Sequence, residues 1–163
     1  MNTKTLLLAA CLLCCGIACA QESAMNRLFD KYGKDENVVV ISISKAMFKL
    51  IPDNVSISKD HVDIKSIVNK IESMRLITTS NTALGKKIDD EIRELVDRDG
   101  KYEELMRIRD GKSAVTFCVR KNGELIGELI MLIDEEKEFV VICIAGSFTL
   151  EEIQEIAAGR NVQ

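Results

Sequence analysis

A single histidine, His61, stands in the chain, so any Ser-His-Asp, Cys-His or histidine-based metal site has to pass through it. Asp60 and Asp63 flank it, but residues one or two apart do not share a helix face. No motif marks a serine or cysteine as its partner, and His61 reads as a solvated residue in the first turn of a helix. Of the six cysteines, four fall in the first 20 residues, which leaves Cys118 and Cys143. The strands expected to carry them are separated by the strand holding Leu129. Second-neighbour strands lie about 9 to 10 Å apart, beyond the usual Cα reach of a disulfide. Two unpaired core thiols are expected, with a disulfide or a metal pair as the alternatives.

Carboxylates are more plentiful. Asp89-Asp90-Glu91 and Asp134-Glu135-Glu136 could suggest calcium binding or glycoside hydrolysis, but neither has the spacing of a calcium loop, and consecutive carboxylates cannot all face one ion. They read as a solvated helix face and a polar hairpin tip. Glu128 interrupts an apolar run and could pair across the sheet with Arg107, Arg109 or Arg120. An enzyme built on carboxylate, lysine and serine chemistry would draw on Glu128, Lys45 and Ser42, provided they converge within about 10 Å. Asn54-Val55-Ser56 matches the glycosylation sequon, a pattern that arises readily by chance. A glycine-rich phosphate loop and a nucleophile elbow are both absent. With two tyrosines and no tryptophan, an aromatic sugar-binding platform is not expected either. The sequence assigns no catalytic, cofactor-binding or metal-binding residue.

The elements that would position these groups are clearer. Met25, Leu28, Phe29 and Tyr32 recur at helical spacing, with Ser23 as N-cap and Gly33 after the end. Val38 to Ile43 is apolar on both parities, the pattern of a strand covered on two faces. Ser44 is placed to cap a short helix carrying Met47, Phe48, Leu50 and Ile51, which Pro52 ends. Asp60 can cap another through Ile64, Ile67, Val68 and Ile71, with a strand from Met74 to Thr79. The longest helix opens at Ser80 or Asn81, carries the stripe Leu84, Ile88, Ile92, Leu95 and Val96, and stops at Gly100.

From Tyr102 onward the chain reads as four strands with hairpin turns at Asp110-Gly111, Asn122-Gly123 and Asp134 to Lys137. The last strand, Phe139 to Ala145, is almost wholly apolar and belongs inside the sheet. Thr149-Leu150-Glu151-Glu152 is a capping box, and Phe148 and Ile153 form its hydrophobic staple. The expected fold is α+β: a mixed sheet with a four-strand antiparallel meander in the C-terminal half and helices packed against it.

Residues 1–20, MNTKTLLLAACLLCCGIACA, carry Lys4 as their only charge and an apolar run from Leu6 to Ile17. This is the plan of a cleavable signal peptide, and Ala18-Cys19-Ala20 places the cut after Ala20. The run is too short to span a bilayer comfortably. Lipidation at Cys11 or Cys19 is the alternative, and would anchor a soluble domain to a membrane face. Cleavage leaves residues 21–163 as one α+β domain, with no linker or internal repeat to split it. Loss of Lys4 takes the net charge from −4 to −5. An acidic domain without a basic run is not expected to bind nucleic acid.

Four segments carry a family resemblance: Ser44 to Pro52, Tyr102 to Ile108, Glu128 to Ile133, and Ile144 to Ile153. In order and spacing they resemble an exported family of Bacteroidetes known as domain of unknown function 4252. The resemblance implies an uncharacterised envelope protein and brings no site residues with it. The expectation is an exported, non-catalytic domain in the periplasm or outside the cell, binding a partner protein or a small ligand of the envelope. An envelope enzyme and an accessory to envelope stress signalling are the alternatives.

Overall fold

A computed structural model describes residues 23–50 and 64–153. The expected signal segment, His61 and the Asn54 sequon lie outside the described residues. Helix α1 (Ala24–Tyr32) is capped by Ser23, whose hydroxyl accepts from the Asn26 amide at 3.1 Å, and it buries Met25, Leu28, Phe29 and Tyr32. Gly33 ends it with helical angles, so the left-handed stop expected there is not used. Strand β1 (Val39–Ser44) leads into helix α2 (Lys45–Phe48). The Ser44 side chain makes no capping bond, because its extended residue continues the strand pairing with Ser73.

Helix α3 (Ile64–Lys70) passes directly into β2 (Ile71–Thr79). Helix α4 (Thr82–Asp99) follows, with the Asn81 side chain accepting from the Leu84 amide at 3.0 Å. Its buried positions are Gly85, Ile88, Ile92 and Leu95. At Gly85 the helix presses onto the sheet so closely that an added Cβ would lie 2.8 Å from that of Phe139.

The meander is β3 (Tyr102–Asp110), β4 (Ser113–Asn122), β5 (Leu125–Asp134) and β6 (Phe139–Phe148). Its first two turns use Gly111 and Gly123 at φ 58° and 67°, a conformation that side chains resist. The six strands form one sheet in the order β1-β2-β6-β5-β4-β3, and β6 sits inside it as its apolar sequence requires. The α+β class holds, but every pairing is antiparallel, so the parallel contact of a mixed sheet is absent among the described strands. The reason is that β2 runs between β1 and β6 and opposes both.

Helices α1 and α4 cover one face of this sheet and enclose the main core, including Phe29, Ile77, Ile88, Ile92, Ile130 and Val141. A second, smaller cluster lies at one end of the other face, where Ile67, Ile71, Val119, Ile126 and Phe148 meet Phe48 and Ile153. The capping box closes this end: the Thr149 amide donates to Glu152 at 2.9 Å and the Glu152 amide to Thr149 at 3.3 Å. Phe148 and Ile153 join the same cluster as the staple predicts.

Candidate functional site

Cys118 and Cys143 are both free and buried. Each stands opposite Ile130 of β5, one on either side, which is the separation that forbids a disulfide. Burial raises the Cys118 thiol pKa, and burial followed by the charge of Glu128 pushes Cys143 up to about 12. Neither is a thiolate at neutral pH, the form in which a cysteine acts as a nucleophile.

Glu128 is buried, and its partner is not one of the three arginines proposed for it. The Tyr102 hydroxyl donates to its carboxylate at 2.5 Å. Arg120, its neighbour in register, instead pairs with Asp99 at 3.3 Å and lies over the Tyr102 ring, while Arg107 pairs with Glu104. Sequence reasoning missed Tyr102 because 26 residues separate the pair and two register shifts lie between their strands.

The residues of the carboxylate-lysine-serine reading do not converge. Ser42 on β1 is three strand positions from Glu128 on β5, or about 14 Å, past the reach that the chemistry needs. Lys45 faces Glu72 at 3.7 Å. The acidic run in α4 is divided among three cations: Asp89 with Arg93, Asp90 with Lys86 and Glu91 with Lys31. Glu136 at the hairpin tip pairs with Lys112 at 2.5 Å. Among the described residues, no three His, Cys, Asp or Glu side chains are grouped to hold a metal.

What the sheet does bring together is apolar surface. Opposed residues share a face, so the registers can be followed across all six strands. One row runs Val39, Thr78, Val140, Ile133, Val115, Ile108. The next runs Ile41, Leu76, Ile142, Met131, Phe117, Met106. Both rows lie on the face away from α1 and α4, and no side chain in either is buried. Val39 is 57% exposed, Ile41 48%, Ile108 50% and Met106 43%. The inner residues are partly buried, as flanking strands crowd each side chain. Thr78 is the one polar residue in the two rows, and its hydroxyl bonds to Glu138 at 2.5 Å.

This corrects the reading of β1 as a strand covered on two faces. Among the described residues it is an edge strand with Val39 and Ile41 exposed on its outer side, while α2, α3 and the turn after Thr149 pack at the end of the sheet near Phe148.

A family model described as Domain of unknown function (DUF4252) matches residues 32–156. The chain belongs to this family. The DUF4252 match takes in all six strands and α2 to α4, so it includes the whole outer face, whereas α1 precedes it except for Tyr32. No curated protein and no solved structure matches the chain. Among the described residues, no helix is long and apolar enough to cross a membrane.

Proposed function

We propose that the chain is an exported, non-catalytic envelope domain that works by binding a partner protein through its outer sheet face. The observation that carries the reading is the pair of six-residue apolar rows left open on that face. A sheet must bury its apolar faces against something, and among the described residues helices span one side of this sheet and only one end of the other. The shape of the surface favours a macromolecule over a small ligand. Small ligands bind in concave sites that enclose most of their area, whereas the two rows belong to a single sheet surface.

Export rests on the signal pattern of residues 1–20, with cleavage after Ala20 leaving Gln21 as the first residue. Mass analysis of the N-terminus tests it: an acylated Cys11 or Cys19 would replace the soluble form with an anchored one. The binding reading is tested by placing a photo-crosslinking residue at Ile41 or Met106 and, for comparison, at Lys86 on the opposite side. Discrete protein adducts are expected from the first two positions and not from the third. Equal labelling at all three, or none at Ile41 and Met106, would overturn it.

A further inference from the structure

We draw no further inference here: the strongest candidate, the edge of the sheet along β1 with the groove of about 540 Å³ that Ser42, Ile43, Ser44, Met47, Ser73 and Arg75 line beside it, carries nothing because nothing in the structure shows what covers it.

Discussion

Ile142 of β6 and Met131 of β5 stand directly opposite each other on inner strands of the sheet, and neither is buried. Their neighbours one residue along, Val141 and Ile130, point the other way and are fully enclosed by the helices. The same two strands therefore have one face in the main core and another, equally apolar, that enters a core only at the end near Phe148. This difference, more than any reactive group, is what sets the molecule apart.

The Tyr102–Glu128 bond is a polar contact on the helix-covered side of the sheet. Tyr102→Phe leaves a buried carboxylate without its donor and is expected to cost about 2 kcal/mol, in the range for hydrogen bonds to charged groups. Glu128→Gln keeps an acceptor and costs less. Urea unfolding measures both, and equal stability of Tyr102→Phe and the parent chain would remove the bond from the account.

Cys143 gives a pH signature. Its pKa is raised from 9.0 to about 12 by burial and then by Glu128. A raised pKa stabilises the fold fully below the unfolded value, and that contribution is lost as pH rises from about 9 toward 12. Over this window Cys143→Ala is expected to lose less stability than the parent chain. Parallel curves for the two proteins would contradict the assignment.

Gly85 lets α4 approach the sheet. Alanine is favoured over glycine in a helix by about 1 kcal/mol, but here its Cβ meets the Phe139 Cβ, which cannot swing aside. Overpacking costs about 1 to 3 kcal/mol, so Gly85→Ala is expected to destabilise on balance. Lys86→Ala, one residue along on the exposed side, should change stability by less than about 0.5 kcal/mol. Thermal melts of the two variants distinguish contact from propensity.

The capping box at Thr149 holds the end of the covered patch. Thr149→Ala removes the acceptor for the Glu152 amide and is expected to cost about 1 kcal/mol. Glu152 also takes a hydrogen bond from Lys70, so its carboxyl pKa lies below the ordinary range, first because of Lys70 and then because of the Thr149 amide. Denaturant midpoints for Thr149→Ala and Glu152→Gln test whether the box secures α3 as well as the turn.

Much of the architecture was legible because it is local. The Asn122-Gly123 turn, the Thr149 box, the stripe of α4 and the inner place of β6 each follow from residues a few positions apart. The separation of Cys118 from Cys143 followed from strand order within the meander. Strand β1 was harder to place, since its position beside β2 at the edge depends on pairings far apart in the chain. Its two-sided apolar pattern records which surfaces gain by leaving water and does not say what covers them. For the same reason the outer face could not be read from any single segment. It exists only when the registers of six strands are laid side by side.

Methionine oxidation tests the central claim most directly, because Met106 and Met131 lie on the outer face and Met25 is fully buried under the helices. In cells, Met106 and Met131 should resist a mild oxidant nearly as well as Met25, and purification of the chain away from its partner should expose both. Oxidation of Met106 and Met131 in cells as rapid as in the purified chain would mean that nothing covers the face, and would contradict the account.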